Sequence, residues 1–145
     1  MMTATAEPPI DELDPSECWR LLGSTDLGRL AVRNGEEIDI FPINFVVHDD
    51  TLYFRSAPGA KLIDLSREPH VSFETDGVVD RKRWSVVVKG VARRLDSDSE
   101  IRTSGVLELD SYSPSTKWNY VRIEVAQISG RRFTRSHAHT HGGGE

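Results

Sequence analysis

"IDIFPINFVVHDDTLYFRSAPGAKLIDLSREPHVSFETD", residues Ile38 to Asp76, decides the fold. Over Ile38–Val47, Thr51–Ser56 and His70–Thr75 the pattern repeats mostly every second residue, the period of a half-buried strand. Val, Ile, Phe and Tyr dominate, the side chains that pack best on a pleated surface. Asp49-Asp50 leaves only a short link between the first two strands, which predicts a hairpin. After Ser56 the pattern changes. Pro58-Gly59 makes a turn, and a helix is expected from about Gly59 to Arg67, contributing Leu62, Ile63 and Leu65. Pro69 stops it, because proline disfavours helical geometry in the residue before it.

Working outward, three more strands follow the same period: Gly28–Arg33, Trp84–Leu95 and Asn119–Phe133. Asn34-Gly35 and Asp76-Gly77 read as turns between strands. A first helix follows Asp14, which can cap it. Pro15 suits its first turn and Glu17 completes a capping box. Cys18, Leu21 and Leu22 fall on one face of that helix, Gly23 ends it, and Cys18 reads as a packing residue rather than a reactive thiol. Another capping box, Ser97 to Glu100, opens a helix carrying Ile101 and Val106. Six strands with short links predict a largely antiparallel sheet. Closure would remove its exposed edges. The expectation is a mainly β protein: a small six-stranded β-barrel with a few short helices.

At 145 residues the chain fits one domain. Eighteen Lys and Arg against 23 Asp and Glu give a net charge of −5, which argues against a nucleic-acid partner. Cys18 is the single cysteine, so no intrachain disulfide can form and a reducing compartment is expected. No apolar run approaches bilayer length, and the N-terminus lacks a basic-then-apolar signal pattern. A soluble cytoplasmic protein with no membrane partner is therefore expected. Residues 1–12 read as a flexible arm, 13–135 as the domain, and 136–145 as a disordered His- and Gly-rich tail. His137, His139 and His141 alternate in that tail, where an extended chain could offer imidazoles to a metal; the tail is read as flexible chain and no metal site is assigned.

No zinc spacing, phosphate-binding loop, dinucleotide fingerprint or nucleophile elbow is present, and no catalytic side chain is assigned. Three segments carry the candidate chemistry. In "IFPINFVV", Pro42 cannot donate to a ladder, so it marks an edge, a bulge or a departure from pairing. Backbone groups freed there, with the Asn44 amide on the same face, could bond a flat heterocycle. In "YFRSAPGAKL", the first amides of the helix, Ser56, Arg55 and Lys61 could hold a phosphate, or simply organise a strand-to-helix turn. In "RWSVVVKG", Trp84 is a core or interface residue or a pocket wall, and Ser85 offers a hydroxyl. "SGRRF", Ser129 to Phe133, adds two arginines that suit solvent, an anionic tail or a second subunit.

Taken together, "ECWRLLGSTDLGRLAV", the 40–76 block, "WSVVVKGVARRL" and "WNYVRIEVAQISGRRF" resemble the pyridoxamine 5′-phosphate oxidase-like family of flavin-binding split barrels. Within it the resemblance is to the small branch of general flavin or deazaflavin oxidoreductases and nitroimidazole-resistance-type proteins. The resemblance implies a six-stranded antiparallel split barrel that forms a homodimer, with FMN at the subunit interface and a small-molecule substrate. It implies that Phe41, Pro42, Ile43, Asn44 and Phe45 lie against the flavin ring. Arg55, Ser56, Lys61 and Leu62 would hold the phosphate, and Ser85, Val86 and Val87 would approach the ring from a neighbouring strand. Trp118 and Arg132 would reach across the dimer. Ala60-Lys61 stands where true pyridoxamine phosphate oxidases carry Arg-Lys, and Asn44 where they carry a lysine. The resemblance therefore implies an FMN-dependent oxidoreductase other than the vitamin B6 enzyme. Its alternatives are a deazaflavin-dependent reductase using Arg131, Arg132 and Arg135, or a non-enzymatic flavin- or haem-binding or sensing module.

Overall fold

A computed structural model describes residues 10–56, 69–108 and 119–134. The elements in chain order are β1 (Ile10–Glu12), α1 (Pro15–Leu22), β2 (Leu27–Asn34), β3 (Glu37–His48), β4 (Thr51–Ser56), β5 (His70–Val79), β6 (Lys82–Arg94), α2 (Asp98–Ser104) and β7 (Asn119–Thr134). One 3₁₀ turn, Val106–Glu108, follows α2. The helix expected at 59–67, the tail histidines, Lys61, Leu62, Trp118 and Arg135 lie outside the described residues.

Every strand pairing is antiparallel. The order β7-β4-β3-β2-β5-β6 closes on itself because β6 also pairs with β7. This is the six-stranded barrel that the sequence pattern predicts. Its interior is filled by the inward half of each alternation. Leu30, Phe45, Phe54, Phe73, Val86 and Ile123 are each no more than 2% exposed. Phe45 and Phe73 meet edge-on across the barrel, ring centroids 4.7 Å apart, the arrangement aromatic quadrupoles favour.

Among the described residues two of the pairings are short: β2 meets β5 only over Arg29–Val32, and the ring is split between β3 and β4. β3 pairs with β2 from Glu37 through Asn44, but with β4 only from Phe45 to His48. Back from Asn44, the β4-facing edge of β3 has no strand partner among the described residues. Pro42 stands in that edge, opposite Arg29 of β2, where the missing N–H breaks no ladder. Of the three readings of Pro42, the edge is the one found. On the far side of the split, the strand partners of Arg55 and Ser56 among the described residues are Tyr120 and Asn119 of β7.

Two turn residues behave otherwise than expected. Asp76-Gly77 is not a turn: β5 runs on to Val79 and reverses at Asp80-Arg81, both at positive φ. Gly77 pairs with Trp84, and a Cβ there would stand 2.8–2.9 Å from the indole. The glycine makes room for a buried ring, a close-approach role that a turn signal conceals. At the first hairpin the loop is Gly35-Glu36, one residue later than read, with Gly35 at φ 65°. Asp49-Asp50 does form the tight turn expected, both residues at positive φ. A further correction concerns the N-terminal arm: its last three residues, Ile10–Glu12, pair with Phe133–Arg131 of β7.

Both helix starts are capped as expected. The Asp14 carboxylate accepts from Glu17 N at 2.9 Å, and Ser97 Oγ accepts from Glu100 N at 3.3 Å. The reciprocal half of each box is not made, because each glutamate turns outward to the barrel. Glu17 binds Arg20 within α1 and Arg132 of β7 at 2.7 Å. Glu100 binds Tyr53 of β4 and Arg122 of β7. Cys18, Leu21 and Leu22 seat α1 on the core, each 1% exposed or less. Among the described residues no helix is long and apolar enough to cross a membrane.

Candidate functional site

Alternation on β6 turns Trp84, Val86 and Val88 inward and leaves Ser85 and Val87 half-buried on the outer side. The pairing with β7 sets Ser129 beside Val87 and Arg131 beside Ser85. β1 and Leu13 pass along the same stretch, and Leu13 N donates to Gly130 O at 3.0 Å. The result is a groove of about 450 Å³ lined by Glu12, Leu13, Ser85, Val87, Ile128, Ser129, Gly130 and Arg131. Gly130 closes the barrel side of this groove. It is buried, and a Cβ there would lie 2.8 Å from Cys18 Sγ and 3.1 Å from Ser85 O. Burial also pushes the Cys18 thiol up from its ordinary pKa, with Asp14 and Glu17 adding to the shift, so it stays protonated and serves packing.

The chemistry of the groove lies in four groups with no hydrogen bond or ion pair to another described residue: the hydroxyls of Ser85 and Ser129, the guanidinium of Arg131 and the carboxylate of Glu12. They offer two neutral donor–acceptors, one cation and one carboxylate beside the apolar walls of Val87, Ile128 and Leu13. Arg132 does not join them. Glu17 holds it at 2.7 Å against α1, and Arg20 and Arg132 together pull the Glu17 carboxyl down to about 2.

The second polar region is the split. Pro42 and Asn44 are exposed there, Phe41 is half-buried, and Ile43 and Phe45 point into the core. Arg55 is partly exposed, and Ser56, 9% exposed, is one of the few buried polar residues. Asn44 and the Arg55-Ser56 pair therefore flank one gap, with the free edge of β3 beside them. Lys61 and Leu62, named with them from sequence, fall outside the described residues. Ser85 and Val87 do not join this group. Their strand is three steps from β3 in either direction around the ring. Val86, between them, is fully buried, so only its backbone faces outward chemistry.

The sequence profile of the family described as pyridoxamine 5′-phosphate oxidase matches residues 14–132. The chain belongs to that family. Among solved structures it is similar to a Corynebacterium glutamicum protein with a provisional pyridoxamine 5′-phosphate oxidase designation: 42% identical, TM-score 0.78, covering 88% of this chain and all of that one. It is also similar to an FAD-binding protein of Mycobacterium smegmatis, 37% identical, TM-score 0.74, covering 87% and 100% of the two chains. A third is an FAD-binding protein of Mesorhizobium loti, 27% identical, TM-score 0.78, covering 89% and 100%.

A flavin, the cofactor the sequence resemblance implies, fits the groups present. The groove is of cofactor-pocket size, and its polar groups are unpartnered and set among apolar walls. The free edge of β3 adds backbone donors and acceptors of the kind a heterocycle edge needs. Sequence reading missed the lining by Ser129, Gly130, Leu13 and Glu12, and caught Arg131 as one of the two arginines of "SGRRF" and, with Arg132 and Arg135, as a basic group for a deazaflavin. The small pair Ser129-Gly130 inside a strand is the signal that marks such a close approach.

A third surface crosses the outer face of β2, β5, β6 and β7. It is a mainly apolar groove of about 430 Å³, with Ala31, Val71, Val91 and Ala126 in its lining and Ile38 of β3 at its margin. Ile38 and Ile40 stand exposed beside it. Nearby, Arg29 binds both Glu74 and Asp76 at 2.7 Å, which consumes its charge locally.

Proposed function

We propose that this pyridoxamine 5′-phosphate oxidase-family chain binds a flavin, as FMN or through the FMN half of FAD, in a site shared between two copies. The bound cofactor supplies electron or hydride transfer to a small-molecule substrate. The observation that carries this reading is the groove over Ser85 and Ser129, whose hydroxyls, with the Arg131 guanidinium, have no partner among the described residues.

In this reading the chain binds and orients. Ser85, Ser129 and the free backbone of β3 around Pro42 and Asn44 take the polar edge of the ring. Val87 and Ile128 exclude water from its face. Ser56 and Arg55 take the phosphate by charge-assisted bonds, together with Lys61 and Leu62, which the sequence resemblance assigns to the same group. Two similar proteins described as FAD-binding support the flavin. The placement of the two polar regions supports the dimer. A six-stranded ring is about 12 Å across at the backbone, with strands about 4.8 Å apart and tilted about 40°. The outer face of β6 and the free edge of β3 therefore look away from each other within one chain. The apolar face carrying Ile38 and Ile40 is the surface offered to the second copy. A deazaflavin with a long anionic tail would need a basic groove, and the Glu17–Arg132 pair leaves Arg131 as the described cation facing this one.

Titration of the purified chain with FMN, FAD, a deazaflavin and haemin, followed by absorption and fluorescence, tests the reading. Flavin bound at one per subunit by a dimer is the expected result. Failure of both FMN and FAD to bind would overturn it. Reduction of the bound flavin by a nicotinamide donor separates an oxidoreductase from a binding or sensing module.

A further inference from the structure

The outer layer over β4 and β7 carries a continuous chain of paired groups. Arg93 Nε of β6 donates to Glu124 Oε1 at 3.1 Å, and Arg122 Nη2 meets Glu124 Oε2 at 2.8 Å. Arg122 Nη1 donates to both Glu100 oxygens at 3.0 Å, and the Tyr53 hydroxyl donates to Glu100 Oε2 at 3.0 Å. Two arginines and two glutamates balance in charge. The chain therefore runs from β6 across β7 to β4, with Glu100 of α2 as its last acidic link.

Glu100 is the N3 residue of its helix, where a glutamate would ordinarily turn back to the cap. Here its carboxylate is 27% exposed and bridges two strands instead. Tyr53, although on the outward side of β4, is only 5% exposed and has a raised pKa, first from burial and then from its bond to Glu100.

What the bridge holds is the end of β4. Up to Phe54 the strand is paired on both sides. Beyond it, the strand partners of Arg55 and Ser56 among the described residues are in β7, at Tyr120 and Asn119. A strand end with half its ladder takes its position from the remaining strand and from side chains packed over the junction. The Tyr53–Glu100–Arg122 bridge lies across the β4–β7 pair immediately before the split, at the register Tyr53 opposite Arg122. We propose that Glu100 is a positioning residue for an anionic ligand group at the split: by tying Tyr53 to Arg122 it fixes Arg55 and Ser56. The ligand class is a phosphate monoester or diester on a flavin. That much rests on the flavin reading above, while the fixing of Arg55 and Ser56 does not.

The test has two arms on the full chain. The first is amide hydrogen exchange without cofactor, comparing wild type with Glu100→Gln. Exchange should speed at least tenfold at Arg55 and Ser56 and in α2, and stay unchanged in β5 and β6. Equal rates at Arg55 and Ser56 overturn the proposal, and so does a uniform rise over the whole barrel. The second arm compares FMN with riboflavin, which lacks the phosphate. Glu100→Gln should weaken FMN about tenfold and riboflavin less than twofold. A parallel loss of both assigns Glu100 a merely structural role and overturns the phosphate assignment. Should Glu100→Gln not fold, Tyr53→Phe removes one link and keeps the ion pair; about threefold for FMN alone is then expected, and no difference between the ligands overturns it. A wild type that binds neither ligand defeats the flavin reading and its phosphate assignment together, while the exchange arm still decides the brace.

Discussion

Replacing Gly130 by alanine presses on the barrel side of the candidate groove, and its cost follows from three distances. The new Cβ would stand 2.8 Å from Cys18 Sγ, 3.1 Å from Ser85 O and 3.3 Å from Leu13 Cδ1. Ordinary carbon contacts lie at about 3.5–4.0 Å, so α1 must rise from β7 by something approaching 1 Å. Cys18 is fully buried and has no spare volume to retreat into. Overpacking of this kind costs about 2 kcal/mol. Cys18→Ala alone removes one buried atom and costs about 1 kcal/mol. Independent effects would sum to about 3 kcal/mol. In the double variant the Sγ contact no longer exists, so the loss should be about 1.5 kcal/mol, a coupling of about 1.5 kcal/mol. Urea unfolding followed by tryptophan fluorescence measures all four corners, and equal m-values across them would keep the comparison valid. Additivity within about 0.5 kcal/mol would refute the claim that Gly130 exists to seat α1.

Four further expectations follow from other features. Gly90→Ala should cost more than about 3 kcal/mol in the same assay, because its Cβ would fall 2.1 Å from Glu124 O at the bulge where β6 closes onto β7. Gly35→Ala meets open space but holds φ 65°, so about 1 kcal/mol is expected, and a cost above that at Gly90 would contradict the steric ranking. Lys61→Ala should weaken FMN by about 1.5–3 kcal/mol if one charge-assisted phosphate contact is lost; an unchanged dissociation constant counts against the cradle. Glu17 is held at about 2, against an ordinary 4.5, by Arg20 and then Arg132. Its contribution is complete above pH ~4.5 and lost as pH falls toward ~2, so Glu17→Gln should flatten the stability curve in that window and leave its slope near neutrality unchanged.

The barrel was legible because alternation survives in nearly every strand, and β4 was read to the residue, Thr51–Ser56. What the pattern could not supply was the reason for a given glycine or glutamate. Gly77 after an aspartate has the form of a turn, yet its partner is the indole of Trp84, the third residue beyond the real reversal at Asp80-Arg81. Glu17 and Glu100 stand where capping boxes place a glutamate, but arginines 115 and 22 residues away compete for them and win. A charged partner offers a stronger bond than a backbone amide that water can also satisfy. The candidate site divides along the same line. Pro42, Asn44 and Ser56 announce themselves as breaks in a strand pattern. Ser129 and Gly130 sit inside a long strand without breaking it, and their groove exists only once β1 and Leu13 are laid alongside.

The fold itself argues for where a ligand must lie. Closing six strands into a ring gives every strand two neighbours, and the interior so formed is filled by Phe45, Phe54, Phe73 and the aliphatic residues around them. The grooves described above lie outside this packed core, on the outer surface of the ring. That surface is convex, and a convex surface cannot by itself bury most of a ligand's area, as tight binding requires. Two features relieve this. The split at Asn44 leaves a stretch of β3 with no strand partner on that side among the described residues, and Leu13 with β1 raises one wall over Ser85 and Ser129. They lie on opposite sides of the ring, so neither closes the other's open side. In the dimer proposed above, a second convex body would supply what each lacks, and a two-fold partner would supply it at both places at once. The exposed isoleucines of β3 would then become interface, and the hydroxyls of Ser85 and Ser129 would be offered to the other copy.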